Sequence, residues 1–189
     1  MSDLADVFVL GPEEEATRLW DGAVAAAEQA ETDLVPLYEA LDLGIRAAEI
    51  LVIQKLQPVK DQFPATIALQ LELPVAEVEA IRDAVTVPKA LDFTEILDLL
   101  SAESLECVGP RLHRGWEDRR FSCQRSRRTA REATGLSLEA ADREHLLLLA
   151  AYRNRLFRYP PPIRIVPAEI HAAFPVLRRL VEALLGHGT

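Results

Sequence analysis

Apolar and polar residues along this 189-residue chain recur mostly at helical spacing. After a short apolar segment, Asp3 to Leu10, Gly11-Pro12 opens a helix to about Ala30. Its apolar face holds Ala16, Leu19, Trp20, Ala23, Val24 and Ala27. A second helix is expected from Leu34 to Leu56, with Thr32 or Asp33 as its cap, a stripe through Leu37, Leu41, Ile45, Ala48 and Val52, and Gly44 marking a close approach or a weak point. Pro58 and Pro64 close it. Thr66 to Leu73 alternates apolar and polar positions in the manner of a strand, although a helical turn or an extended connector fits equally. Short helices follow at Val75–Val85 and Ala90–Leu100, and Ser101 to Val108 continues or restarts the pattern.

The last third holds three longer helices. Pro110 and Gly135 bracket the first. The second spans 138–158 with Ser137 as its cap. Its unbroken apolar run, Leu146 to Ala151, predicts a central position buried on most sides. Pro160-Pro161-Pro162 stops it. Pro167 opens the last helix, which Pro175 should kink or divide and Gly186 ends. The expected fold is therefore all-α: a single helical domain, residues 1–189, built as one bundle of about six or seven helices with at most one short extended segment.

Composition supports this class. Hydrophobic residues make up 49% and aromatics 6%, so the core is aliphatic, and no Gly/Ser linker divides the chain. The net charge of −9 conceals a split. The acidic part, residues 1–106, has 22 Asp/Glu against 6 Lys/Arg. The basic part, residues 107–189, has 8 against 15, and every one of those cations is arginine. Arginine suits planar pairing with carboxylate or phosphate. The basic half can therefore meet the chain's own acidic half, a second copy, an acidic partner protein or RNA. Cys107 and Cys123 form neither a metal motif nor a disulfide framework, and the N-terminus lacks a secretory pattern, so a soluble cytoplasmic protein without membrane contact is expected. The four histidines have no metal spacing, and no phosphate-cradling glycine loop or nucleophile elbow occurs; no cofactor or metal is expected.

The arginines supply the candidate chemistry. On the first of the three longer helices, Arg120, Arg127, Arg128 and Arg131 share a face, and Arg125 lies elsewhere on its circumference. The next helix ends in Tyr152-Arg153-Asn154-Arg155-Leu156-Phe157-Arg158. This segment resembles the Arg-Asn-x-x-x-His signature of the HEPN superfamily, compact helical proteins that are often metal-independent ribonucleases in toxin–antitoxin and antiviral systems. The resemblance implies Arg153 and Asn154 as catalytic candidates. The arginine-rich composition itself offers a nucleic-acid surface made of Arg120, Arg125, Arg127, Arg128, Arg131, Arg155 and Arg158. The histidine position holds Arg158, whose guanidinium binds phosphate but does not exchange a proton near neutral pH. The expected function is thus an interaction or regulatory protein, HEPN-like but catalytically degenerate, contacting RNA or an acidic partner. The alternatives are an active ribonuclease that takes its histidine from His145 or His171, and a self-associating structural adaptor without nucleic acid.

Overall fold

The computed structural model describes residues 11–30, 34–72, 91–102, 116–158 and 166–186. Their elements are α1 (Pro12–Gln29), α2 (Leu34–Leu56), a 3-10 turn (Gln57–Gln62), α3 (Ala65–Glu72), α4 (Phe93–Leu100), α5 (Trp116–Thr134), α6 (Ala140–Arg158) and α7 (Pro167–Leu184). No sheet forms among the described residues; the extended pairing is one isolated parallel bridge, Ser101 with Leu138. The all-α bundle is what the apolar spacing predicts.

Several boundaries follow from local chemistry. Pro12 begins α1, with Glu13, Glu14 and Glu15 in its first turn, where negative charge favours the helix dipole. The Glu14 carboxylate accepts the Gly11 N–H at 3.0 Å. Gly135 follows α5 at φ 70° and Gly186 follows α7 at φ 76°, the left-handed conformation that ends a helix most easily in glycine. α4 begins at Phe93 rather than Ala90 because Asp92 caps it. The Asp92 carboxylate accepts the Glu95 N–H at 3.0 Å, and the Glu95 carboxylate accepts the Asp92 N–H at 2.9 Å. Replacing Asp92 with Ala is expected to cost about 1 kcal/mol in urea unfolding, and Asp92→Asn only a fraction of that. Equal losses would show that the cap is not what holds this helix start.

The strand-like stretch is helical. Ile67 and Leu71 are four apart, so an alternating pattern also contains the i, i+4 pair of a helix, and Leu71 is fully buried. The Gln57 side-chain amide donates to the Leu71 carbonyl at 3.3 Å. α6 begins at Ala140 rather than at 138, so Ser137 is not its cap. Leu138 is occupied in pairing: its N–H donates to Leu100 and its carbonyl accepts from Ala102, both at 2.8 Å. Ser101 is extended and does not continue α4. α7 runs through Pro175 undivided. The expected helix at 75–85 and all of 103–115, including Pro110 and the continuation expected to Val108, lie outside the described residues.

The centre of the bundle is α2 rather than α6. α2 packs against α1, α4, α5, α6, α7 and the 3-10 turn. Leu37, Leu41, Ile45, Leu51 and Leu56 are buried along it, and Ala40, Gly44, Ala47 and Ala48 let neighbours approach closely. A Cβ on Gly44 would stand 2.9 Å from Leu177 Cδ2 and 3.5 Å from the Trp20 ring. Beside this crossing Trp20 stacks on Phe174, with ring centroids 6.0 Å apart. On α6, Leu146 and Leu149 are fully buried, but Leu147 and Leu148 are only partly covered, as expected of a helix packed against α7, α4 and α2 on one side.

Candidate functional site: an arginine clasp between the two halves

Asp42 and Glu49 lie seven residues apart on α2, which puts them about 20° from one another around the helix. Arg153 of α6 reaches both. Its Nε donates to Asp42 Oδ1 at 3.0 Å and its Nη1 to Glu49 Oε1 at 2.8 Å. All three side chains are largely withdrawn from solvent, at 22% exposure for Arg153, 25% for Asp42 and 19% for Glu49. Glu49 Oε1 also accepts the Phe93 N–H at 3.1 Å, at the start of α4. One carboxylate therefore joins α2, α4 and α6. Burial pushes the Glu49 carboxyl above its ordinary value even though Arg153 and the Phe93 N–H favour its ionised form. The withdrawn carboxylate depends on its countercharge.

The other end of α4 is held by cations. Arg127 Nε of α5 donates to the Asp98 carbonyl at 2.9 Å, and Arg131 Nη1 approaches the Ala102 carbonyl at 3.4 Å. Arg143 of α6 pairs with the Asp98 carboxylate. Carboxylates thus sit at the N-terminus of α4 and guanidinium groups at its C-terminus, the arrangement a helix dipole favours. Elsewhere Tyr152 donates its hydroxyl to Glu169, tying α6 to α7, and Arg179 pairs with Asp142 at 2.8 Å.

The sequence candidates therefore separate. Arg153 faces Asp42 and Glu49, whereas its neighbour Asn154 is exposed. The shared arginine face of α5 divides: Arg127 and Arg131 turn to α4, while Arg128 is exposed and pairs with Glu132 of its own helix at 2.9 Å. Arg125 is exposed. Arg120 lies in the first turns of α5, and Arg155 and Arg158 lie in the last turn of α6; the side chains of these three fall outside the described residues. His145 is exposed, with its ring Nδ1 2.9 Å from the Ala141 carbonyl, and His171 is exposed on α7. No bond from either to Arg153 exists among the described residues.

Sequence reasoning did not single out Asp42, Glu49, Asp98 or Arg143. A usable signal was present for the first two, because acids at i and i+7 lie nearly above one another and share one edge of a helix.

Among the described residues no group of three His, Cys, Asp or Glu side chains is placed to hold a metal ion, and no helix is long and apolar enough to cross a membrane. Compared with known proteins, the chain matches no family model, no curated protein and no solved structure.

Proposed function

We propose that this chain is an all-α interaction domain that acts by recognising a partner protein, with its arginines divided between internal and external work. The observation that carries this reading is the placement of Arg153. The residue offered by the sequence as a phosphate or catalytic group already has two carboxylate partners in its own chain. Arg127, Arg131 and Arg143 are likewise spent on the end of α4. An arginine held this way is poorly placed to stabilise charge on a scissile phosphate, since the site must first release two anions. In this reading the domain is not an enzyme and belongs in the cytoplasm.

A second reading keeps a role for RNA, favoured by the exposure of Arg125, Arg128 and Asn154 on α5 and α6. It is a HEPN-like domain that binds RNA without cutting it.

Labelled single-stranded RNA separates the two. Anisotropy is followed from about 50 to about 200 mM salt, and the same RNA is inspected for cleavage with chelator present. The partner-protein reading expects neither cleavage nor steeply salt-dependent binding. Binding that weakens with salt, and loses part of that slope in the Arg125→Ala, Arg128→Ala double variant, would establish the RNA reading instead. Chelator-resistant cleavage abolished by Arg153→Ala, in a variant still folded by circular dichroism, would overturn both.

A further inference from the structure

At the end of the bundle where α2 gives way to the 3-10 turn, a cavity of about 370 Å³ opens to the surface. Its floor is apolar. Leu51 of α2 and Leu184 of α7 are buried core residues whose side chains also reach this cavity, and Val59 and Ala133 are partly buried beside them. Pro58 forms a wall in which the backbone is fixed by its ring. Walls supplied by α1, α2, α5, α7 and the 3-10 turn give a pocket that exists before any ligand arrives, within the size range of small-molecule sites.

The rim is polar and carries both signs. Lys55 brings an ammonium, Glu13 a carboxylate and Gln54 an amide. None of these three side chains has a hydrogen bond or ion pair among the described residues, so Lys55 and Glu13 do not neutralise one another. Elsewhere on the same helices such charges do find partners: Glu15 pairs with Arg18 at 2.8 Å and Arg46 approaches Asp42 at 3.9 Å.

We propose that this cavity is a binding site for a small zwitterion with an aliphatic body, of the aliphatic α-amino-acid class. The aliphatic body lies on Leu51, Val59, Ala133 and Leu184, where apolar burial drives binding. The ligand carboxylate meets Lys55 and the Gln54 amide, and its ammonium meets Glu13. A simple carboxylate would satisfy Lys55 but face the Glu13 charge, and a simple amine would satisfy Glu13 but face Lys55. Only a molecule with both charges complements the whole rim. Because the rim is open to water, its ion pairs add selectivity more than strength, and an affinity between about 10 μM and about 1 mM is expected. This site is independent of the arginine clasp and of the partner reading above.

The test titrates the full chain with L-2-aminooctanoate and follows backbone amide signals by two-dimensional NMR, with octanoate and octylamine as single-charge comparisons. The expected result is saturable shifts confined to the signals around Leu51, Val59, Ala133 and Leu184, with both single-charge compounds binding at least about tenfold more weakly. Ala133→Phe should fill the cavity and weaken binding by about tenfold or more. The surface variants Lys55→Gln and Glu13→Gln, which leave the core untouched, should each weaken it by about threefold to tenfold. Absence of saturable shifts at about 10 mM zwitterion overturns the proposal. So does octanoate or octylamine binding as tightly as the zwitterion. Unchanged affinity in Lys55→Gln and Glu13→Gln also overturns it.

Discussion

Arg153→Ala is expected to destabilise the fold by about 2–3 kcal/mol in urea unfolding near neutral pH. The change leaves two largely covered carboxylates, Asp42 and Glu49, without their shared cation. Breaking a buried pair by removing one partner costs more than the pair contributed, because the remaining charge stays desolvated. The effect should depend on pH in a defined direction. The Glu49 carboxyl is already raised in the folded protein, so its contribution to stability is fully present below the ordinary value of 4.5 and is lost as the pH rises through its folded value. Without Arg153 the carboxyl rises further and the penalty at neutral pH grows. The destabilisation by Arg153→Ala should therefore shrink as the pH falls toward 4.5 and Glu49 takes up its proton. A loss that is constant with pH would mean that Glu49 does not face Arg153.

The second large effect is expected at Gly44, where α2 crosses α7. Gly44→Val should cost about 2–3 kcal/mol, since its Cβ falls 2.9 Å from Leu177 Cδ2 and the branched side chain adds atoms toward Trp20 and Ala23. Leu177 is fully buried and packed, so its side chain has little room to retreat. Gly44→Ala meets the same contact but recovers about 0.5–1 kcal/mol of helix propensity, so its net cost should be smaller. Pairing Gly44→Val with Leu177→Ala gives the check. If the close approach is the cause, the double variant is more stable than the sum of the single losses predicts. Strict additivity would place the cost elsewhere.

Helical spacing made most of the fold legible, and the misplacements have physical causes. The run from Leu146 to Ala151 drew attention to α6 because its residues are large and continuous. α2 holds the centre through Ala40, Gly44, Ala47 and Ala48, which contribute little apolar bulk but allow several neighbours to come close. A small side chain is a weak sequence signal and a strong packing one. The alternation at Thr66–Leu73 could not distinguish a strand from a helix, because Ile67 and Leu71 satisfy both periods; the turn at Pro64, whose carbonyl accepts from Ile67 and Ala68, decides for the helix.

The clasp was half legible. The charge split pointed to pairing between an acidic and a basic half, and Asp42, Glu49 and Asp98 meeting Arg153 and Arg143 realise it. Which arginines do so was not readable, because on a helix crowded with them the inward and outward faces differ only through tertiary packing. Arg127 and Arg128 are adjacent in sequence, yet one is buried against α4 and the other is exposed.

The central claim, that Arg153 is held by carboxylates of its own chain, is tested most directly by a double-mutant cycle between Arg153→Met and Glu49→Gln near neutral pH. Met keeps much of the arginine stem, and Gln keeps an acceptor for the Phe93 N–H while removing the charge. The cycle isolates the interaction between the two side chains from the cost of each change alone. A coupling of about 1 kcal/mol or more is expected, with Glu49→Gln recovering much of the stability lost in Arg153→Met. Independent, additive losses would contradict the clasp and leave Arg153 free for an external anion.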